Sequence, residues 1–309
     1  MMRRSQNTLQ VRALSWFAVG TAVFAGPPVR AQDAQLPMPS SFVSQLDLAC
    51  HKATGAGTPA RSVTLNHLNP VLQELGFGAQ LAQLAELQQL CVPVAKNNQL
   101  PSADVYRYIQ YTDLACYRAY TMLPTPSVTL KLSQLNPVIR RMGLPDHEVK
   151  LSSLEQVCVP VAKRGAEPPD AAVLALIQHV DVACYKVDAA QTLPSYSLYL
   201  TDLNPLFNMS GQSVVTRVPE QLCVPVAKNN VKPPSGVLGI VQWIDFEKFS
   251  VLPSTVTVPM TLTLRHLNPQ YAGVPPFSIS MGTLTHLDLP VAKNGRFPPS
   301  VGPALGTAQ

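Results

Sequence analysis

Short segments in which apolar and polar residues alternate recur along the chain. Val128–Leu132 reads Val-Thr-Leu-Lys-Leu, and Val63–Leu65 and Thr261–Leu264 follow the same period of two. This period, carried by β-branched residues, predicts strands with one buried face, and Val149–Leu151 predicts another short strand. Asn-Pro follows three of these segments and predicts the strand end, because Asn favours turns and Pro cannot donate a hydrogen bond to a sheet.

Other apolar segments are harder to assign from their period. Leucines three residues apart in Ala79–Leu90 predict a helix that the rest of the chain lacks, and Ala172–Ile177 predicts a short helix. Val105–Ile109 predicts a strand instead. The segment Val92–Ala95 is predicted on an edge strand or at a strand start, because its proline has no N–H.

Three sequence blocks recur in the same order and define four repeats. The first is Leu-Asn-Pro, whose asparagines are separated by 67, 68 and 64 residues. The second is Cys-Val-Pro-Val-Ala-Lys, and the third is an aspartate three residues before a cysteine. The fourth repeat has Lys248 and Asp288 where the others have cysteines. Blocks that keep both order and period indicate internal duplication.

The repeats predict the fold class and the domain organisation. We expect a mainly β protein, a tandem array of four small β-sandwich-like or barrel-like modules of about 65 residues, with about four strands each. Pro-rich segments form the boundaries, because proline stiffens the backbone. The expected divisions are a signal peptide 1–31, a linker 32–41, modules 42–101, 102–169, 170–234 and 235–300, the last without a disulfide, and a disordered tail 301–309.

The beginning of the chain has the pattern of a secretory signal peptide. Arg3, Arg4 and Arg12 precede the uncharged segment 13–26, and small or apolar residues flank a cleavage point after Ala31. The uncharged segment is too short to span a bilayer, which needs about 20 residues. We therefore expect a secreted protein, periplasmic or extracellular.

Charge and hydropathy exclude two classes of partner. Without residues 1–31 the chain has 19 basic and 18 acidic residues, and no basic run exceeds a pair such as Arg140-Arg141. Nucleic-acid binding therefore has no electrostatic support. No second apolar run reaches membrane length, so we expect no membrane span in the mature chain.

Six cysteines in an exported protein predict three disulfides. Both cysteine positions are lost together in the fourth repeat, which favours bonding within each repeat. Each bridge should contribute roughly 4 kcal/mol in the chain-entropy model, and Lys248 and Asp288 are expected to form an ion pair in place of the missing one. The predicted pairs are Cys50–Cys91, Cys116–Cys158 and Cys184–Cys223. No Cys-x-x-Cys spacing is present, so no metal site is expected.

No catalytic motif or phosphate-binding loop appears, and neither catalytic residues nor a cofactor are predicted. His67 and His266 share the context His-Leu-Asn-Pro, but Gln134 and Asp202 replace them in the other repeats. A position that accepts these three residue types is predicted to be a solvated strand end.

An aspartate, an asparagine and a lysine recur in every repeat, as in Asp113, Asn136 and Lys163. These residue types form intramolecular isopeptide bonds in surface adhesins, where a buried neutral lysine lies beside an asparagine and a protonated acid. The simpler interpretation makes the Asp and Asn turn formers and the Lys a solvated or snorkelling strand end. We prefer the simpler interpretation, because lysine is rarely fully buried.

The combination Asp-x-Ala-Cys-Tyr followed by Leu-Cys-Val-Pro-Val-Ala-Lys-Asn resembles an uncharacterised family of exported bacterial repeat modules, a domain of unknown function. The resemblance covers about residues 42–300 and implies export and β modules, but no catalytic activity. The segments that carry it are Asp113–Tyr117, Val157–Lys163, Asp181–Tyr185 and Leu222–Asn229.

These features predict a noncatalytic secreted or cell-envelope structural or interaction protein with an unknown protein or glycan partner, since repeats suit multivalent binding. The alternative is a secreted protein that binds a carbohydrate or small ligand, and a third reading is a hydrolase or inhibitor with an unrecognised site. Aromatic residues that would contact a ligand are Tyr106, Tyr108, Tyr111, Tyr196 and Tyr199.

The disulfide pairing gives a direct prediction. In a Cys116→Ser variant, Cys158 should become the free thiol, because its partner within the repeat is gone. Alkylation without reduction, followed by peptide mapping, identifies the free cysteine. Labelling of Cys91 instead would show that bridges join neighbouring repeats.

Overall fold

A computed structural model describes residues 36–55, 61–208, 210–253, 255 and 259–301. The predicted signal peptide and residues 302–309 of the predicted tail lie outside the described residues. The protein is mainly β, as predicted, and its strands are antiparallel. The strands are β1 (Leu48–Gly55), β2 (Arg61–His67), β3 (Gln80–Lys96), β4 (Asp113–Thr121), β5 (Val128–Gln134), β6 (His147–Lys163), β7 (Val182–Ala189), β8 (Ser197–Asp202), β9 (Gly211–Lys228), β10 (Phe246–Pro253), β11 (Met260–His266) and β12 (Phe277–Lys293).

Each sequence repeat contributes one helix and then three strands, of which the third is the longest. A short helix or 3-10 turn begins at the Asn-Pro that separates the second strand from the third. The helices are α1 (Pro39–Gln45), α2 (Pro70–Glu74), α3 (Ala103–Ile109), α4 (Pro137–Arg141), α5 (Ala171–Ile177) and α6 (Ser235–Val241), and the 3-10 turns are η1 (Pro205–Phe207) and η2 (Pro269–Tyr271). Helix α1 begins within the predicted linker 32–41.

The helix predicted over Ala79–Leu90 is wrong, because the segment from Gln80 onwards lies in β3. Its pairing with β4 has irregularities between Leu84 and Leu87 and between Leu87 and Gln89. A bulge inserts an extra residue into a strand, so the buried leucines of β3 are three residues apart rather than two. The spacing that resembles a helix is therefore the spacing of a bulged strand.

Of the predictions for the other ambiguous segments, some agree with the structure and others do not. Ala172–Ile177 is helical, as predicted, within α5. Val105–Ile109 is not the predicted strand but part of α3, which buries Val105, Tyr108 and Ile109 at helical spacing. Val92–Ala95 lies near the end of the long strand β3, not at a strand start. Its proline marks a change of partner on one edge of the strand, since β4 pairs with β3 as far as Cys91 and β8 pairs with it from Val94 onwards.

The first and third strands of the four repeats form a closed circuit. Within the repeats, β1 pairs with β3, β4 with β6, β7 with β9 and β10 with β12. Between neighbouring repeats, β3 pairs with β4, β6 with β7 and β9 with β10. The last strand, β12, returns to pair with β1. The fourth repeat is thereby hydrogen-bonded to the first as well as to the third.

The second strands connect repeats that are not neighbours in sequence. β2 pairs with β3 of its own repeat and with the end of β9, while β8 pairs with β9 and with the end of β3. The second and fourth repeats exchange β5 and β11 in the same way. The tandem array of four separate modules is therefore not confirmed, and the described residues form three strands per repeat rather than about four.

The long strands separate two hydrophobic clusters. In β3, Leu90, Val92 and Val94 belong to one cluster, and Cys91 and Ala95 belong to the other. The cluster with the cysteines also contains the apolar faces of α1, α3, α5 and α6, and these helices contact one another in turn around the circuit. Alternation along one strand thus supplies both clusters.

Deletion of residues 235–309 tests the closed circuit. The deletion leaves β1 without its partner β12 and β9 without its partner β10, so the shortened chain should lose its cooperative unfolding transition. Circular dichroism during urea titration, with the full chain as control, measures this. Independent modules would instead keep the transition, because the three disulfide-containing repeats are intact.

Candidate functional site

The recurring aspartate and lysine of each repeat lie side by side at the ends of the paired first and third strands. Asp47 directly precedes β1, and Lys96 is the last residue of β3. The N–H of Val94 donates to the carbonyl oxygen of Asp47 at 3.0 Å, which fixes the two strand ends together. The Lys96 Nζ contacts the Asp47 carboxylate. The corresponding pairs are Asp113–Lys163, Asp181–Lys228 and Asp245–Lys293.

The asparagine of each cluster comes from the following repeat, and the fourth aspartate receives the asparagine of the first repeat. In each case the Asn Nδ2 donates to the Asp Oδ2. The four donations are Asn136 to Asp47 at 2.6 Å, Asn204 to Asp113 at 3.0 Å, Asn268 to Asp181 at 2.5 Å and Asn69 to Asp245 at 2.7 Å. The term Asp–Lys–Asn cluster is used below for each of these four groups.

The predicted grouping of Asp113, Asn136 and Lys163 is therefore corrected. Asp113 and Lys163 are in contact at 2.5 Å, but Asn136 belongs to the cluster of Asp47. The cause is the path of the second strand. β5 pairs with β6 of its own repeat, but its last residues pair with the end of β12. Because β12 also pairs with β1, the asparagine that follows β5 lies beside Asp47 of the first repeat.

Each asparagine is held by a helix start as well as by the aspartate. The Asn136 Oδ1 accepts from the N–H of Val138 at 2.8 Å, so Asn136 is the N-cap of α4 and Pro137 occupies the first helical position. Its Nδ2 remains available for Asp47. The Asn-Pro dipeptide is a turn former, as predicted, and it also orients a donor towards a buried carboxylate.

Burial dominates the electrostatics of the clusters. Lys96, Lys163, Lys228 and Lys293 are no more than 1% exposed, so the expectation of a solvated or snorkelling lysine is wrong. Desolvation raises the pKa of Asp245 to about 6, against the opposing charge of Lys293. Desolvation also lowers the pKa of Lys293. Both changes favour the neutral forms of the pair.

The three disulfides of the structure join Cys50 to Cys91, Cys116 to Cys158 and Cys184 to Cys223, the pairs that the repeats indicate. Successive bridges lie against each other. The Sγ atoms of Cys91 and Cys116 are 3.6 Å apart, and those of Cys158 and Cys184 are 3.8 Å apart. The bridges therefore follow one another along the circuit of strands.

Lys248 and Asp288 occupy the fourth bridge position, with Nζ and Oδ2 3.8 Å apart and both side chains buried. Desolvation raises the pKa of Asp288 to about 6, although Lys248 opposes the shift. Lys248 also donates to the Oε1 atoms of Gln89 and Gln156, at 3.0 and 3.1 Å. A charge introduced among the disulfides is thus stabilised by side chains from two other repeats.

Sequence reasoning missed these glutamines, although the repeat carries a signal for them. Gln89, Gln156, Gln221 and His286 each lie two residues before the cysteine or aspartate of the third strand. The Gln89 Nε2 is 2.7 Å from the His286 Nδ1, so two of the equivalent positions are in direct contact. A search of the repeats for polar residues on the cysteine face of the strand would have found them.

The histidines of the His-Leu-Asn-Pro blocks are buried, so the prediction of a solvated strand end is wrong for them. The Nε2 atoms of His67 and His266 each lie 3.2 Å from a tyrosine hydroxyl, that of Tyr185 and that of Tyr117 respectively. Burial lowers the pKa of His67 to about 3, so its imidazole is neutral in the folded protein.

Another buried histidine, His147, pairs with Glu247, with its Nε2 2.6 Å from the carboxylate Oε1. Burial opposes the charged imidazole, but the hydrogen bond and the charge of Glu247 raise the pKa of His147 overall.

The described residues hold one group of potential metal ligands, Cys50, Cys91 and Asp288, whose donor atoms lie within 4.8 Å of one another. Both sulfurs are already bonded in a disulfide, so neither offers the thiolate that a metal requires. A small cavity of about 80 Å³ borders the cluster of Asp47, Lys96 and Asn136, which is enough room for water.

Comparisons with protein-family models, curated proteins and solved structures gave no match to this chain. The resemblance based on the cysteine motifs therefore stays a prediction. Within the part of the chain that the structure describes, no helix has both the length and the apolar character needed to cross a membrane.

Replacement of a cluster asparagine should destabilise the whole circuit. Asn204→Leu removes the donor to Asp113 and the cap of η1, where the Asn204 Oδ1 accepts from the N–H of Leu206 at 3.1 Å. We expect the free energy of unfolding to fall by about 2 to 4 kcal/mol. Urea titration measures the loss, and the exposed Ser153→Ala is the control. An equal effect of both substitutions would contradict a role for the cluster.

Asp288 should make stability depend on pH. Because its pKa is raised in the folded state, its contribution to the free energy of unfolding is greatest below about pH 4 and is lost as the pH rises through about 6. The stability of the wild type relative to Asp288→Asn should therefore fall over this range. Urea titrations at several pH values test this, with Asp146→Asn in the exposed Lys131–Asp146 pair as control. A rise with pH would show that attraction to Lys248 outweighs desolvation.

Proposed function

We propose that the protein is a noncatalytic structural or interaction protein that acts outside the cytoplasm, in the cell envelope or as a secreted protein. The observation that carries the proposal is that its reactive side chains are buried between repeats. Each Asp–Lys–Asn cluster joins two repeats and buries its lysine, whereas an enzyme must present such groups to a substrate in a cleft. The buried chemistry supports a closed scaffold.

The predicted export from the cytoplasm agrees with the presence of disulfides. Three disulfides persist in an oxidising compartment and are rare in the cytosol. The predicted signal peptide supports the same destination. A scaffold of four similar repeats offers several similar surfaces, and several weak contacts made together give strong attachment.

The alternative, binding of a carbohydrate or small ligand, has less support. Among the tyrosines considered for this role, Tyr108 is 1% exposed and packs in the cluster with the cysteines, while Tyr199 is 42% exposed. Stacking on a sugar requires an accessible ring face. Tyr199 is therefore the side chain on which the alternative depends most.

Chemical cross-linking at the surface of the exporting cell, followed by purification of the full chain, tests the proposal. We expect a mature chain that begins at Gln32 outside the cytoplasm and a cross-linked envelope or secreted partner. A glycan array provides the discriminating arm. Saturable binding that Tyr199→Ala abolishes would favour the alternative, and a turnover abolished by one point substitution would overturn the noncatalytic function.

A further inference from the structure

The four cluster lysines have too few partners for buried ammonium groups. An ammonium has three N–H donors, and a buried charge requires both pairing and hydrogen bonds. Among the described residues, the Nζ atoms of Lys163 and Lys228 donate hydrogen bonds only to their aspartates. The Nζ atoms of Lys96 and Lys293 form ion pairs with theirs and make no hydrogen bond within the described residues. The Nζ atoms of Lys163 and Lys228 also lie 4.9 and 4.8 Å from the ring centroids of Phe207 and Tyr271, a cation–π contact that does not replace the missing hydrogen bonds. An amide nitrogen has a single N–H and therefore needs fewer hydrogen-bond acceptors than an ammonium.

The geometry holds the amine in contact with the carboxylate, so little rearrangement separates Nζ from the carboxyl carbon. Paired strands fix the backbone of both residues, and the asparagine holds the carboxylate from the other side. In the cluster of Asp113, Lys163 faces Oδ1 while Asn204 donates to Oδ2. The clusters of Asp181 and Asp245 have the same arrangement, whereas in the cluster of Asp47 both Lys96 and Asn136 contact Oδ2. Reacting groups held together in this way gain a large effective concentration.

We propose that Lys and Asp of each Asp–Lys–Asn cluster condense to an isopeptide bond, which joins the first strand of a repeat to its third strand. The neutral amine attacks Cγ of the protonated carboxyl group, the Nζ–Cγ bond forms and the Cγ–Oδ1 bond breaks. Oδ1 leaves as water with the acid proton and one amine proton, and no oxidant or reductant is needed. Oδ2 stays as the amide oxygen and keeps the hydrogen bond from asparagine, which polarises the carbonyl during the attack.

The buried environment supports this step. Desolvation raises the pKa of the aspartates and lowers that of the lysines, so the pair approaches the neutral acid and neutral amine that condense. Asparagine is not the acceptor, because its Oδ1 caps the following helix or turn and its Nδ2 points at the aspartate. The fourth repeat, which has no disulfide, retains the complete cluster of Asp245, Lys293 and Asn69.

Intact mass spectrometry of the full chain, denatured and fully reduced, tests the proposal. We expect a mass below that of the mature sequence by about 18 Da for each bond, up to four times that amount. A tryptic digest should contain linked peptides that join Asp113 to Lys163, because trypsin does not cleave after an acylated lysine. A mass equal to that of the sequence would overturn the proposal.

Two controls determine which residues are responsible for the loss of water. The Lys163→Met variant should have lost one water molecule fewer than the wild type. If the variant keeps that water loss within a single peptide, the loss is succinimide formation and would overturn the assignment. Amine labelling of the denatured protein should modify Lys131, whose contact with Asp146 is exposed to solvent, and spare the four cluster lysines. Losses of about 17 Da with lysine linked to asparagine would overturn aspartate as the acceptor.

Discussion

The buried aspartate at the start of each first strand is the constraint on which the structure depends. A carboxylate at this depth requires a counter-charge and hydrogen-bond donors, and no single repeat supplies all of them. Lysine comes from the same repeat and asparagine from the next. Because the asparagine of the first repeat serves the aspartate of the fourth, this requirement is met in full only when the circuit closes.

The same circuit explains why each repeat has first and third strands that form the circuit and a second strand that joins another repeat. First and third strands alternate around the circuit, and the third strands are long enough to pair with two partners in succession. Pro93 lies where the partner on one edge of β3 changes from β4 to β8, and its carbonyl accepts from the N–H of Leu203 at 2.9 Å. The Val-Pro-Val-Ala block is therefore a junction between repeats, and the Leu-Asn-Pro block is the segment that reaches it.

The disulfides and the buried ion pair are alternative solutions at one structural position. Three repeats connect their first and third strands through sulfur, and the fourth places Lys248 and Asp288 there. Gln89 and Gln156 from other repeats accept hydrogen bonds from Lys248 and so help to compensate the burial of its charge. The charge substitution and the polar residues two positions before each cysteine therefore form one arrangement, although they are far apart in sequence.

The sequence by itself determined the repeats, the β character, the cysteine pairs and the identity of the clustered residues, because these follow from local period and from substitutions that occur together. It did not determine strand boundaries where bulges disturb the period, as in Ala79–Leu90. Nor did it assign Asn136 to Asp47, since this contact depends on which repeat each second strand joins. Only the tertiary structure decided that the four repeats form one closed circuit with buried lysines, because burial and partner choice arise from contacts between segments that the local sequence does not specify.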